Sequence, residues 1–290
     1  MKFWQVVPWM ETEQLMEVAQ FAEEVGFYGV MNADHAVYPE DVKAPYPYSP
    51  DGKAPMSPDW EYPDAWVTIA AMAAVTKRIK FSTTVYVLPL RNVFEVAKAT
   101  GTLAIISKNR FILGAGLGWM KDEFDIYGVK FEDRGSRASE MIDVLRKLWA
   151  GGMVEHHGKY FDFPRLQIAP NPKETIPIFL SGASAPALKR TARLADGWIG
   201  PGNTPDSASE VLKTLKTLRK EFGRDHLPFE TVIGLTTPPD LDTFKRLHEE
   251  GMTAGVSYPF YFSLGMHSSI DDKKRVMEQF ANTFIRAFNP

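Results

Sequence analysis

The stretch IPIFLSGASAPALKRTARLADGWI, residues 176–199, holds a short apolar run, a turn of small residues, an amphipathic run and a second apolar run. Ile176–Leu180 reads as a buried strand, Ala185–Leu194 as a helix with Pro186 near its start, and Gly197–Ile199 as the next strand. Two strands joined through a helix lie parallel, because the crossover returns the chain to the same edge. Working outward, the same unit recurs. Phe3–Val7 leads into Glu13–Val25, Phe27–Met31 precedes a long irregular stretch and the helix Asp64–Val75, and Ile79–Leu88 leads into Val93–Ile106. Arg110–Leu113 enters a glycine turn before the helix Ser136–Trp149. Beyond residue 199, Ser207–Phe222 is a helix, Phe229–Leu235 precedes Leu241–Glu249, and Met252–Ser257 precedes Asp271–Phe288. Eight such units with no Gly/Ser or charged linker predict an α/β fold, a (β/α)₈ TIM barrel formed by residues 1–290 as one domain. A doubly wound sheet shows the same alternation but stops near about six strands.

Two insertions interrupt the pattern, after the second and fourth strands. Residues 36–63 carry seven of the 21 prolines together with Tyr38, Tyr46, Tyr48, Trp60 and Tyr62. A stiff, aromatic loop of that kind suits a lid over an apolar, ring-shaped ligand. Within residues 152–175, Val154–His157 and Tyr160–Phe163 flank Gly158 and Lys159 and predict a small hairpin.

Composition excludes several functions. There are no cysteines, so thiolate nucleophiles, disulfides and Cys-ligated metals are absent, and redox chemistry has to come from a bound cofactor. With 33 Lys+Arg against 36 Asp+Glu, the net charge of −3 offers no footprint for nucleic acid or an anionic membrane. The N-terminus has one Lys and a short apolar run broken at Pro8 and Glu11, and the run from Ala65 to Val75 is too short to span a bilayer. A cytoplasmic location is the expectation. Of the six histidines, His156 and His157 are adjacent on a strand and face opposite ways, and no H-E-x-x-H occurs, so no metal is expected.

Barrel chemistry sits at the carboxyl ends of the strands. After the second strand come Asn32, Ala33, Asp34 and His35, where a histidine beside a carboxylate can move protons near neutral pH. Gly114, Gly116 and Gly118, before Trp119, permit close backbone approach to a flat ring, although the pattern lacks the last glycine of a dinucleotide fingerprint. A tight turn without a ligand accounts for them equally well. Ser181, Gly182, Ala183 and Ser184 open a helix, so its free amides form an anion site that suits a phosphate, with Lys189, Arg190 and Arg193 farther along. The alternative there is simple capping by Ser184. Arg134 and Arg137 open a helix and read as solvated residues or as part of a homodimer interface.

Taken together, Ala33-Asp34-His35, the run from Tyr46 through Pro50 to Gly52, Leu88-Pro89-Leu90-Arg91-Asn92, Gly114 to Trp119, Phe131 to Gly135, Leu145 to Trp149 and Ala195 to Trp198 resemble the luciferase-like monooxygenase superfamily. The likeness runs from the first strand to about residue 200 and is to the branch that uses a deazaflavin, coenzyme F420. It implies a cofactor ring at the strand ends met by Asp34 and His35, a non-prolyl cis peptide at Thr84-Val85 under the ring, a glycine turn at Gly116 and Gly118, and a phosphate loop at Ser181 to Ser184. Sugar-phosphate dehydrogenases of this superfamily place a glutamate where Trp119 stands here, so a flatter, more apolar substrate is implied, with Tyr46 and Trp119 in its pocket. Glu123, one helical turn later, is not assigned that role. The expected activity is hydride transfer between F420 and a small unsaturated, carbonyl or alcohol substrate, with His35 handling the proton. The alternatives are an FMN-dependent monooxygenase that uses oxygen and a non-catalytic flavin-binding barrel.

Overall fold

Phe3 and Trp4 are neighbours in the first strand and belong to different cores, and that alternation builds the two layers of the molecule. In the computed structural model, which describes residues 1–49 and 51–289, the barrel strands are β1 (Lys2–Val6), β2 (Gly29–Asn32), β3 (Lys80–Thr83), β4 (Phe111–Gly116), β5 (Ile178–Ser181), β6 (Gly197–Ile199), β7 (Glu230–Ile233) and β8 (Ala254–Val256). Every neighbouring pair is parallel, and the ring closes where Lys2 of β1 pairs with Ala254 of β8. Pro50, within the aromatic loop motif, lies outside the described residues.

Helices α1 (Leu15–Val25), α2 (Ala65–Ala74), α3 (Val93–Ile106), α4 (Arg134–Ala150), α5 (Ala185–Leu194), α6 (Pro205–Glu221), α7 (Leu241–Glu249) and α8 (Ile270–Phe280) follow their strands in turn. Several starts are set by side chains that accept first-turn amides: Asp64 takes those of Trp66 and Val67, and Asn92 those of Phe94 and Glu95. Inside the barrel Trp4, Met31, Ile112, Phe179, Ile199 and Val232 pack together. Outward-facing Phe3, Val30, Phe81, Leu113, Leu180 and Trp198 meet the helices in a larger core. The Trp4 ring occupies the space where a side chain on Gly29 would lie, 2.1 Å from the position of its Cβ.

Three expectations need correction. The third strand does not run through to Leu88: it stops at Thr83, passes the cis peptide Thr84-Val85, and resumes only for Tyr86–Val87. The glycine turn begins later than expected, because Gly114 and Gly116 belong to β4 itself. Gly114 lies so close to β3 that a Cβ there would stand 1.8 Å from the Thr83 carbonyl oxygen. The second hairpin strand is Asp162–Leu166 rather than Tyr160–Phe163, paired antiparallel with Val154–His157. The closing helix continues beyond Phe280 through a π-helical turn, Ala281–Ile285, to Phe288. No helix among the described residues is long and apolar enough to cross a membrane.

Candidate functional site

The exit of β2 is fixed from within. Asn32 is buried, its Oδ1 accepts the Ala33 amide at 2.9 Å, and its Nδ2 donates to Thr68 Oγ1 on α2 at 2.9 Å. The next two residues then part company. Asp34 turns toward β3: both its oxygens accept from Arg91 Nη2, at 2.8 and 2.9 Å, and Oδ2 also accepts the Val87 amide at 3.0 Å. Burial pushes the Asp34 carboxyl above the usual carboxylate range, against the opposing pull of Arg91 and the Val87 amide. The carboxylate ties the end of β2 to the segment just past the cis peptide.

His35 turns the other way. Its Nδ1 lies 3.0 Å from Oε2 of Glu123, whose Oε1 accepts the Ala36 amide at 2.9 Å. Glu123 is completely buried and sits in a short helix, Lys121–Ile126, that the sequence periodicity does not reveal. A carboxylate can only accept, so the neutral imidazole carries its proton on Nδ1 and leaves Nε2 free to exchange one with a ligand. Glu123 is the site residue that sequence reasoning leaves without a role. Its only sequence signal is an acidic residue one turn beyond the glycines.

Around His35 the walls are aromatic. Tyr62 stands edge-on at 5.2 Å and Trp119 at 6.1 Å between ring centroids, and Tyr46 packs on Trp119 at 5.0 Å. Tyr46 and Trp119 thus share one wall, as expected of pocket residues. The loop between β2 and α2 is anchored to the segment after β4, where Asp122 accepts the amides of Lys43 and Ala44. Trp9, which donates its indole N–H to the Tyr62 hydroxyl, packs against Trp60, and Trp60 meets Tyr261 at 4.7 Å. Burial pushes the Tyr62 phenol up, so it remains a neutral phenol at physiological pH.

The remaining expected residues follow the rim. Val85, the second residue of the cis peptide, packs against Gly116, where a Cβ would stand 2.3 Å from Val85 Cγ2. Gly118, with φ +80°, likewise leaves room for Val87 and Phe124. These two glycines seat the bulge made by Thr84 and Val85. Gly116 and Ser181 line one narrow cleft with Leu117, Arg190 and Thr191. Gly182, at φ +114°, offers its carbonyl to Trp198 Nε1 at 3.0 Å. Ala183 and Ser184 are exposed at the start of α5, and the Ser184 side chain caps no amide, which removes the capping alternative. A separate apolar hollow of about 540 Å³ lies outside the barrel between α2 and α3, away from the strand ends.

The donor set fits a flavin-type ring with a phosphate. Thr191 Oγ1 is buried without a hydrogen-bond partner in the cleft it shares with Ser181 and Ala187, α5 opens directly after Ser184 just past the end of β5, and the His35 imidazole, with no partner for Nε2 among the described residues, meets the rings of Tyr62 and Trp119.

Comparison with known proteins agrees with this geometry. The family described as luciferase-like monooxygenase matches residues 4–250. An uncharacterised protein of Mycobacterium tuberculosis is 34% identical over 270 residues, 92% of this chain and 93% of that protein. An F420-dependent glucose-6-phosphate dehydrogenase of Microbacterium testaceum is 27% identical over 291 residues, 96% of this chain and 80% of that enzyme. The solved structure of the monooxygenase RslO1 from Streptomyces bottropensis covers 99% of this chain and 100% of its own, with a TM-score of 0.79 at 16% identity, a likeness of fold.

Proposed function

Because the chain belongs to the luciferase-like monooxygenase family, whose members are oxidoreductases, we propose that it moves a hydride between coenzyme F420 and a small, rather apolar carbonyl, alcohol or unsaturated substrate. The observation that carries this reading is the buried Glu123 carboxylate on His35 Nδ1, which leaves Nε2 as the proton-exchanging atom at an aromatic mouth. The F420-dependent relative at 27% identity supports the choice of coenzyme.

When bound, the deazaflavin ring gives or takes the hydride. The chain does the rest. His35 takes the hydroxyl proton as an alcohol is oxidised, or returns one to the oxygen as a carbonyl is reduced, and Glu123 stabilises the imidazolium that forms in the first case. Tyr46, Tyr62 and Trp119 exclude water and select a flat, apolar substrate. Trp119 stands where a sugar-phosphate dehydrogenase of this family places an acid, and its packing on Tyr46 and His35 favours an apolar substrate over a polyhydroxylated one. The amides of Ala183 and Ser184 at the start of α5 hold the phosphate. Asp34 acts through its bonds to Arg91 and Val87, setting the backbone on which the ring rests.

His35→Ala tests the assignment. With protein carrying reduced F420, single-turnover oxidation by a panel of small ketones and enones is expected to slow by about 10²–10⁴-fold, the usual worth of a general acid or base. Coenzyme affinity should stay as in the parent. An unchanged rate removes His35 from the mechanism.

A further inference from the structure

Trp9, in the loop after β1, holds a rare backbone conformation at the rim. Its φ of +62° lies in the left-handed region that a bulky side chain seldom adopts. Such conformations persist only where surrounding contacts hold them, and they gather at ligand sites. Here the Trp9 ring is enclosed by Trp60 at 5.2 Å, Tyr261 at 6.1 Å and Phe262 at 6.0 Å between centroids, and its indole N–H reaches the Tyr62 hydroxyl. The strained residue thus places one donor on one phenol.

The direction of that bond has a chemical consequence. An indole N–H can only donate, so the Tyr62 oxygen accepts and the phenol keeps its own hydrogen to give away. No acceptor for that hydrogen stands among the described residues. Burial, with Tyr46, Glu123 and Tyr38 nearby, keeps the phenol protonated against the opposing pull of the Trp9 bond. Beside it, the His35 ring meets the Tyr62 ring edge to face, 5.2 Å away with 84° between the planes, and His35 Nε2 has no partner among the described residues. The neighbouring carboxylates are already committed: Glu123 spends its oxygens on His35 and the Ala36 amide, and Asp34 spends its own on Arg91 and the Val87 amide. A ligand oxygen entering between Tyr62 and His35 meets two unspent groups, a phenol that donates and an imidazole nitrogen that exchanges a proton. A carbonyl oxygen has two lone pairs, one for each.

We propose that the Tyr62 hydroxyl donates a hydrogen bond to the oxygen of a ketone, aldehyde or alcohol substrate opposite His35, and that Trp9 is the positioning residue that fixes it there. The proposal rests on the hydride-transfer reading and narrows its substrates to carbonyl–alcohol pairs, excluding alkenes that carry no oxygen. In reduction the carbonyl carbon gains a hydride from the reduced coenzyme, the carbonyl π pair moves to oxygen, and that oxygen takes the proton from His35 Nε2. The substrate gains two electrons, which the coenzyme gives up. Tyr62 keeps its proton and stabilises the charge that grows on the oxygen. Oxidation of the alcohol runs the same steps in reverse.

The test compares Tyr62→Phe, Trp9→Phe, the double variant and Trp119→Phe, each loaded with reduced F420 and mixed with small cyclic ketones, cyclohexanone among them. Tyr62→Phe removes one oxygen atom and should slow single-turnover reduction by about 10²-fold, the usual loss of one preorganised donor. Trp9→Phe keeps an aromatic ring and loses the N–H. It should slow the step by about 10-fold and add nothing in the Tyr62→Phe background, because both act through one hydroxyl. A second readout needs no turnover: with oxidised F420 bound, the infrared carbonyl stretch of cyclohexanone should lie lower in the parent than in Tyr62→Phe, since a donated hydrogen bond weakens the C=O bond. An unchanged rate or an unmoved stretch in Tyr62→Phe, losses that multiply in the double variant, or a loss carried by Trp119→Phe instead overturns the assignment and leaves the coenzyme reading standing. So does a parent that binds F420 and reduces no ketone. A parent that binds no F420 removes both.

Discussion

Glu123 gives one carboxylate oxygen to His35 and the other to the Ala36 amide, so a single buried side chain sets both the ring and the backbone that carries it. Glu123→Gln keeps the shape and loses the charge, and an amide nitrogen facing Nδ1 favours the opposite tautomer. The expected outcome is a fall in kcat of about 10²-fold or more, with coenzyme Kd and thermal midpoint close to the parent, because Glu123 is fully buried and both its oxygens are taken by His35 and the Ala36 amide. Equal losses in kcat and in coenzyme binding would mark Glu123 as merely structural. His35 is accessible from sequence because it closely follows an apolar run, and strand ends are where barrels place chemistry. Its partner is not, since the contact spans 88 positions and the helix holding Glu123, only six residues long, is too short to show a period. Asp34 illustrates the same limit: its place at the rim is readable, but its pairing with Arg91, 57 positions away, is not.

At the scale of elements, loops are locked to helices through carboxylates. Glu140 on α4 accepts the amides of Lys159, Tyr160 and Phe161 and a bond from His156, which fastens the hairpin. Glu23 on α1 accepts the amides of Lys77, Arg78 and Ile79 ahead of β3. Burial would raise both carboxyls, but the amide bonds outweigh it and hold each below the usual range. A depressed native pKa contributes stability that is present above the unfolded value of about 4.3 and is lost as pH falls through the native value. Urea midpoints are therefore expected to decline below about pH 4, and Glu23→Gln with Glu140→Gln should flatten that decline; an identical acid limb in the double variant would contradict this. Lys273 on α8 is buried with Nζ on Glu11 at 2.7 Å, Gln14 at 2.8 Å and the Ser268 carbonyl at 2.6 Å, joining the loop after β1 to the loop after β8. Lys273→Met leaves Glu11 facing only His267, 3.9 Å away, and should cost about 3–5 kcal/mol in urea unfolding, the range for breaking a buried pair. A loss within experimental scatter would show that the pair is solvated. Periodicity locates the strands and helices well because each buries one face. The break at Thr84-Val85 comes only through family likeness, since no local pattern encodes it.

At the scale of the molecule, the closed ring gathers the rim residues of four strands into one arc: His35 after β2, Val85 after β3, Gly116 at the end of β4 and Ser181 at the end of β5. A chain without cysteine has to borrow its redox group. Ligand that binds only the folded barrel should raise its thermal midpoint, by linkage worth about 2.7 kcal/mol at 100 times Kd. The most direct measurement is to titrate the purified chain with F420 and with FMN, then to expose each reduced complex to air and follow the ring absorbance. The account predicts tight, saturable binding of F420 and a reduced complex that persists in air until a carbonyl or enone substrate is added. Tight binding of FMN alone, with oxygen consumed as the reduced ring is oxidised, would contradict it.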